Sequence, residues 1–365
     1  MSYDPGKMGV AEGMALVFIT TFTPIFLSSP AVYVDQAATA VWLLPLIGGF
    51  CGVAMIMVLL FLMQYVPGDL YEVSEQLLGK TGASLITLYF ITAFFIDTVL
   101  TLRQFAENTL LTAIPALDIT IAIGWYALMA AVVIFIGIEP IARATYLVLP
   151  FAFTGLVFLL LFLHDRFDLN NLSPWLGTGL LPVIKTGIVA SGLGVGVFIL
   201  PVLAPAFQNL RTIRAATLLG FGLSAVFRAV ILFMYTGIFS VAVGREKVLP
   251  FFEMARLIYV NRFIQRVEAF FIVLWVIFGI ATIAISFYIA LYLLTRLFNL
   301  ASMRPLVLPL AIVATQLALL PSDDATIIEL SVLTNDGLTA GLFAIPMILL
   351  VVALVKGRTT ANHGA

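Results

Sequence analysis

Charged side chains are scarce in this sequence: Asp, Glu, Lys and Arg together make up 10% of its 365 residues. A soluble domain carries about 25% charged residues, so the composition excludes an ordinary water-soluble fold. The formal net charge is only −1. Because nucleic-acid-binding domains present a basic surface, we expect no nucleic-acid partner.

Metal-binding and redox-active side chains are almost absent as well. The chain has two histidines, His164 and His363, and one cysteine, Cys51. A zinc site needs three or four such ligands, and a disulfide needs two cysteines. We therefore expect no metal, no cofactor and no internal disulfide, and no catalytic motif indicates an enzyme.

The sequence contains long apolar runs, and 62% of its residues are hydrophobic. A helix needs about 20 apolar residues to cross a bilayer, and ten segments meet this requirement. The sequence predicts an all-α membrane protein, formed as a single transmembrane domain over residues 1–365. The ten predicted spans are 9–33, 38–66, 82–112, 119–137, 140–163, 177–204, 213–243, 264–298, 304–321 and 326–355.

The distribution of lysine and arginine predicts the orientation. Short loops on the cytoplasmic side of membrane proteins are enriched in these residues. With the N-terminus inside, the predicted outer loops 34–37, 113–118 and 322–325 carry none. Both termini are therefore predicted to be cytoplasmic. The longer outer loop contains a stretch at 249–263 that is predicted to form a short amphipathic helix.

The stretch "ASGLGVGVFILP", residues 190–201, places three glycines inside the sixth apolar segment. A phosphate-binding loop would need a lysine and a hydroxyl after its last glycine, but Gly196 is followed by apolar residues. A helix broken at mid-membrane is the favoured interpretation, because irregular backbone survives there when it lines a cavity. A closely packed helix crossing remains the alternative, since small residues also serve helix contacts.

The first predicted span carries a second interruption. Pro24 removes a backbone donor, and Thr20, Thr21 and Thr23 precede it. Interruptions at matching positions of two halves indicate a transporter-type binding site. Ten spans divide into five plus five, and an odd number gives the halves opposite topology. We predict an inverted repeat of 9–163 and 177–355 with helices one and six broken.

Two segments make the chain recognisable: "VFILPVLAPAFQN" after the glycines, and "VLPFFEMARLIYVNRFIQRVEAFFIVLWVIFG" at 248–279. With these, the chain resembles the B subunits of endospore germinant receptors. These form the spore germination permease family of the amino acid-polyamine-organocation superfamily. The resemblance implies a LeuT-like fold of five plus five helices. It also implies nutrient sensing in the spore inner membrane, beside an A-type membrane subunit and a C-type lipoprotein.

Several ionisable residues fall within or beside the predicted spans. A charge at bilayer depth is costly and is expected to face the bundle interior. We consider two interpretations for this set, a polar relay that gates the ligand site or structural ion pairs; Arg228 is a candidate counter-ion for Asp97 or a contact for a partner subunit. The set comprises Asp97, Arg103, Glu107, Arg228, Arg266 and Glu268.

The predicted ligand site lies where the two interruptions face each other, with hydroxyls from spans three and eight at its sides. Free N–H groups at the starts of the half-helices are expected to attract a carboxylate. The leading hypothesis is a membrane sensor of a small nutrient, an amino acid; the alternative is a proton-coupled amino acid permease. The predicted ligand-binding residues are Thr20, Thr21, Thr23, Pro24, Thr98, Ser191, Gly192, Gly194, Gly196, Thr282 and Ser286.

Overall fold

The structure is a computed structural model that describes residues 7–66, 68–190, 195–259 and 268–362. Seven helical stretches in these ranges are long and apolar enough to cross a membrane, and three shorter apolar helices accompany them. The protein is therefore an integral membrane protein. The seven are Ser29–Tyr65, Leu70–Thr112, Ile119–Ile136, Ile138–Arg166, Leu210–Gly244, Glu268–Leu297 and Thr326–Lys356; the shorter three are Val10–Phe26, Leu180–Val189 and Arg304–Ala318.

Thirteen α-helices in the described ranges give the labels used below. They are α1 Val10–Phe22, α2 Ser29–Ala37, α3 Leu44–Tyr65, α4 Leu70–Thr112, α5 Ile119–Ile136, α6 Ile138–Leu163, α7 Leu180–Ala190, α8 Ile199–Val202, α9 Leu210–Gly244, α10 Pro250–Arg256, α11 Glu268–Leu297, α12 Arg304–Ala318 and α13 Asp324–Asn362. The amphipathic helix predicted at 249–263 corresponds to α10, which is shorter than expected.

Polar residues fix the starts of the long helices. Asp69 caps α4 by accepting a hydrogen bond from the Glu72 N–H at 2.9 Å, and the Glu72 carboxylate accepts one from the Asp69 N–H. Asn209 caps α9 in the same way through the Thr212 N–H. These bonds satisfy donors that a helix start leaves open. The helix start at Leu70 lies twelve residues before the predicted span, and Gly79 introduces a kink between the polar and apolar parts.

The core forms where α1 crosses α9 and where α4 packs along α11. Gly220 of α9 allows the first crossing, because an added Cβ there would lie 2.8 Å from the Val17 Cβ. Small residues permit such close approach of membrane helices. The chain segment before α1 is also held, since the Met8 N–H donates to the Ala206 carbonyl at 2.8 Å.

Candidate functional site

A cavity of about 460 Å³, with apolar walls and several polar side chains, lies beside the interruption after α1, between α2, α4, α7 and α13. It extends towards the end of the bundle at which α2 ends and α13 begins. Ligand pockets span roughly 300–1,000 Å³, so its size suits a small molecule. The lining consists of Thr20, Pro24, Leu27, Ser28, Ser29, Val32, Tyr33, Gln36, Asp97, Leu100, Thr101, Gln104, Pro182, Lys185, Thr186, Val189, Gly196, Ile328, Ser331, Val332, Thr334, Asn335, Asp336 and Leu338.

The first helix is interrupted at its proline. The α-helix ends at Phe22, a 3-10 turn covers Thr23–Phe26, and Leu27 is extended before α2 begins at Ser29. Hydroxyls of the three threonines bond carbonyls one turn back, so their own polar groups are satisfied within the first helix. The three bonds run from Thr20 to Leu16, from Thr21 to Val17 and from Thr23 to Ile19, at 2.8, 2.6 and 2.6 Å.

The sixth segment changes geometry at its glycines. Helix α7 ends at Ala190, and a 3-10 turn covers Val195–Phe198. Gly196 lies against the first helix, because an added Cβ would lie 2.7 Å from Thr20 Oγ1 and 2.9 Å from Thr21 Cγ2. The two segments are therefore in direct contact beside the cavity. The predicted ligand residues Ser191, Gly192 and Gly194 lie outside the described residues.

Asp97 on α4 lines the cavity, and Ser286 on α11 orients it. The Ser286 hydroxyl donates to Asp97 Oδ2 at 2.7 Å. One turn earlier on α11, Thr282 bonds Thr23 at 2.8 Å. Since Thr23 gives its only proton to the Ile19 carbonyl, Thr282 is the donor of this pair. Two residues one turn apart on α11 therefore contact the first interruption and Asp97, respectively.

Five predicted ligand residues do not line the cavity. Thr98 is fully buried and donates to the Phe94 carbonyl at 2.7 Å, so it faces the core. The other four act through the bonds just described. Of the predicted set, the residues on the cavity surface are Thr20, Pro24 and Gly196, and those behind it are Thr21, Thr23, Thr98, Thr282 and Ser286.

The predicted relay residues occupy separate places. Arg103 pairs with Glu107 at 3.2 Å and donates to the Ala318 carbonyl of α12 at 3.3 Å. This pair fastens α4 to α12 and is absent from the cavity lining. Glu268 is the first residue of α11, and Arg266 lies outside the described residues.

Arg228 of α9 has a different role from the counter-ion to Asp97 that we considered. It is buried, and it forms a side-chain hydrogen bond with Tyr33 of α2, which lines the cavity. The guanidinium therefore supports the cavity wall through Tyr33. The position of Arg228 in the sequence could not distinguish Asp97 from Tyr33 as its partner, because several helices surround the middle of α9.

The side of the interruption away from the cavity is sealed by aromatic rings. The Phe26 ring meets Phe251 of α10 at 5.0 Å and Phe278 of α11 at 5.4 Å, both edge-to-face. Such pairs add stability beyond the area they bury. The first interruption therefore faces the cavity on one side and is packed against aromatic rings on the other.

Helix α13 contributes residues to the site that were not among those predicted from the sequence. Asn335 and Thr339 both donate to the Val189 carbonyl near the end of α7, at 3.0 and 3.2 Å. Asp336 and Lys185 add charge to the lining. The signal was present, since Asn335 and Asp336 interrupt an otherwise apolar span, and ionisable residues in spans commonly mark functional sites.

The family comparison decides the class of protein. A family model described as "Spore germination protein" matches residues 7–326. The chain belongs to the spore germination permease family. Two members from Bacillus subtilis (strain 168) are similar along most of their length. Spore germination protein YndE is 27% identical over 78% of this chain and 79% of its own. Spore germination protein A2 is 24% identical over 98% of both chains.

Solved structures show the fold of this family member. MHP1, a nucleobase-cation-symport-1 family transporter in a closed conformation with bromovinylhydantoin bound, superposes with a TM-score of 0.69 at 14% identity. The match covers 95% of this chain and 80% of the transporter. A mutant manganese transporter from Eremococcus coleocola gives a TM-score of 0.64 at 14% identity, over 95% and 76% of the two chains. The fold is the LeuT-like transporter fold, and family and fold are those of permeases, not enzymes.

Proposed function

We propose that this protein is the ligand-sensing membrane subunit of a spore germinant receptor, and that its ligand is a small nutrient, an amino acid. One observation carries the proposal: a cavity of ligand size, with several polar side chains in its lining, lies where two interrupted helices touch. Membership of the spore germination family supplies the biological setting. The transporter fold supplies the precedent for binding small solutes at broken helices.

Binding would act by favouring one conformation of the bundle. A ligand shifts such an equilibrium only through its different affinity for the two states. Helices α2 and α7 are the half-helices that border the cavity, so a ligand that draws them together changes their packing against α9 and α3. A partner subunit that touches these helices would receive the signal.

The finer architecture is part of the same proposal. Ten spans form two five-helix repeats, 9–163 and 177–355, with opposite topology and both termini in the cytoplasm. The seven long and three shorter apolar helices are consistent with this division. The subunit lies in the spore inner membrane beside an A-type membrane subunit and a C-type lipoprotein.

A second candidate function is a proton-coupled amino acid permease. It is favoured by the carboxyl group of Asp97 in the cavity, which could carry a proton with the solute. Uptake of labelled amino acids into liposomes by the purified chain separates the two functions. Concentrative uptake driven by a proton gradient would support the permease, and binding without uptake would support the sensor.

A thermal-shift screen of the purified full-length chain tests the sensor proposal. A ligand that binds only the folded state raises the unfolding temperature with increasing concentration. We expect a narrow set of amino acids to stabilise the chain and the same set to trigger germination of spores that carry it. A chain that no amino acid stabilises, in spores that germinate normally with amino acids, would contradict the proposal.

A further inference from the structure

The polar groups at the base of the cavity are acceptors of hydrogen bonds. A hydroxyl has one proton to donate and two lone pairs to accept with. Thr20 gives its proton to the Leu16 carbonyl at 2.8 Å, and Ser29 gives its proton to the Pro24 carbonyl at 2.6 Å. Both residues line the cavity. What they offer a ligand is therefore their lone pairs.

Asp97 adds the strongest acceptor to this group. An ionised carboxylate accepts at both oxygens and donates nothing. The hydrogen bond that Ser286 donates occupies one position on Oδ2, and the carboxylate borders the cavity. We call Thr20, Ser29 and Asp97 the cavity floor. Of its three members, Asp97 is held from α11 by Ser286, and the neighbouring Thr23 is held from the same helix by Thr282.

The start of α2 offers a ligand few of the N–H donors that a helix start usually leaves free. A helix N-terminus usually offers its first free N–H groups to an anion. Here Pro30 has no N–H, and the N–H groups of Ala31 and Val32 both bond the Ser28 carbonyl, at 3.1 and 3.5 Å. The expectation that this helix start attracts a carboxylate therefore has little support from its geometry.

We propose that the cavity floor binds the primary ammonium group of a small aliphatic ligand, with Asp97 as its counter-ion. This inference rests on the proposed function and deepens it. An ammonium has three donors and no acceptor, which complements three acceptors. Charge-assisted hydrogen bonds are about twice as strong as neutral ones. Ser286, which does not line the cavity, is a positioning residue that holds the Asp97 carboxylate.

The rest of the lining is consistent with an amino acid held in this direction. Lys185 of α7 lines the cavity and supplies a cation for the ligand's carboxylate. Among the described lining residues, Tyr33 is the one aromatic side chain. The cavity therefore lacks the stacked rings that would favour a nucleobase, and it suits a short aliphatic side chain.

Matched compounds test which end of the ligand the floor recognises. Binding to the purified full-length chain is measured by thermal shift with L-alanine and L-valine. The same measurement uses ethylamine and isobutylamine, which lack the carboxylate, and propionate and isovalerate, which lack the amino group. We expect the amino acids and the amines to bind and the two acids to fail. Equal binding of the acids would overturn the ammonium site and leave nutrient sensing intact.

Variants connect the binding to the floor. Asp97→Asn keeps the shape and is expected to weaken amine binding on the order of ten- to a hundredfold. Thr20→Val is expected to weaken it several-fold, whereas Thr20→Ser restores the acceptor and the affinity. Glu139→Gln is the matched control, because Glu139 pairs with Arg143 outside the cavity. Unchanged amine affinity in Asp97→Asn would overturn the proposal even if amino acids still trigger germination.

Two further outcomes decide whether the cavity floor binds an ammonium group. A sodium or potassium ion suits acceptors too, so each salt is added alone to protein in choline buffer. Stabilisation by the salt that Asp97→Asn abolishes, without any effect of the amines, would replace the ammonium site with a metal-cation site. If none of the six organic compounds binds, the ammonium proposal is overturned. Amine binding in a protein whose spores ignore amino acids would instead contradict the sensing function alone.

Discussion

The two interruptions beside the cavity are stabilised in different ways. The first depends on its own chain, because Thr20, Thr21 and Thr23 donate to carbonyls within α1. The sixth depends on another helix, because Asn335 and Thr339 of α13 hold the Val189 carbonyl near the end of α7. We infer that the first interruption is a fixed support, and that the second is tied to the position of α13.

This difference indicates where a ligand could act on the bundle. A self-contained interruption keeps its shape when neighbouring helices move. An interruption held from outside can change with its neighbour, and coupling between sites requires an element with two arrangements. Four sets of variants test whether the two interruptions differ in this way.

The largest expected effect belongs to the contact between the two interruptions. Gly196→Ala places a methyl group 2.7 Å from Thr20 Oγ1, and the stiff, hydrogen-bonded threonine leaves it little room. We expect ligand stabilisation to be lost and unfolding stability to fall by about 1–3 kcal/mol, as overpacking does elsewhere. Thermal shift with and without amino acids measures both. Gly222→Ala on α9 is the control, since nothing lies within 4 Å of its added Cβ; equal behaviour of the two variants would contradict the contact.

The second-largest effect is expected when the Asp97 carboxylate is replaced by an amide. Asp97→Asn is expected to reduce the germination response of spores at least tenfold, because a carboxylate in the cavity contributes to a charge-assisted bond. Glu139→Gln removes an acid whose partner Arg143 is solvent-exposed, at 2.5 Å, and such pairs contribute little. Germination is compared at matched protein levels. Equal responses from the two variants would remove Asp97 from the site.

Variants that weaken the support of each interruption in turn are expected to show a smaller difference in the free energy of unfolding. Asn335→Leu combined with Thr339→Val removes both donors to the Val189 carbonyl and should destabilise the fold by about 1–3 kcal/mol. Thr21→Val removes one additional bond to a helical carbonyl and should cost clearly less. Chemical unfolding of the purified variants measures the difference. If Thr21→Val is the more damaging change, the sixth interruption does not depend on α13.

The smallest effect is expected at the bond between Thr23 and Thr282. Hydrogen bonds between membrane helices average about 0.6 kcal/mol, so Thr282→Val should lower stability by about this amount. A double-mutant cycle with Thr23→Val isolates the pair. Fully additive single effects would show that this bond does not connect α11 to the first interruption.

The apolar helices were predictable from the sequence because hydropathy reports directly on the membrane. Pro24 and Gly196 also indicated the cavity, since each disrupts regular helix geometry. The start of α4 was missed because residues 70–81 are too polar to count as a span. The role of Tyr33 as the partner of Arg228, and of α13 as the support of α7, depends on which helices are neighbours, and spacing along the chain does not contain that information.

Cysteine protection measures whether the ligand binds between the two interrupted helices. In a Cys51→Ala background, Ser28→Cys and Thr186→Cys place one thiol beside α2 and one on α7, both in the cavity lining. Ser302→Cys serves as a control in the exposed segment between α11 and α12. We predict that a bound amino acid slows labelling by a water-soluble thiol reagent at positions 28 and 186 and leaves position 302 unchanged. Unaltered labelling rates at both cavity positions, with binding verified by thermal shift, would show that the ligand binds elsewhere.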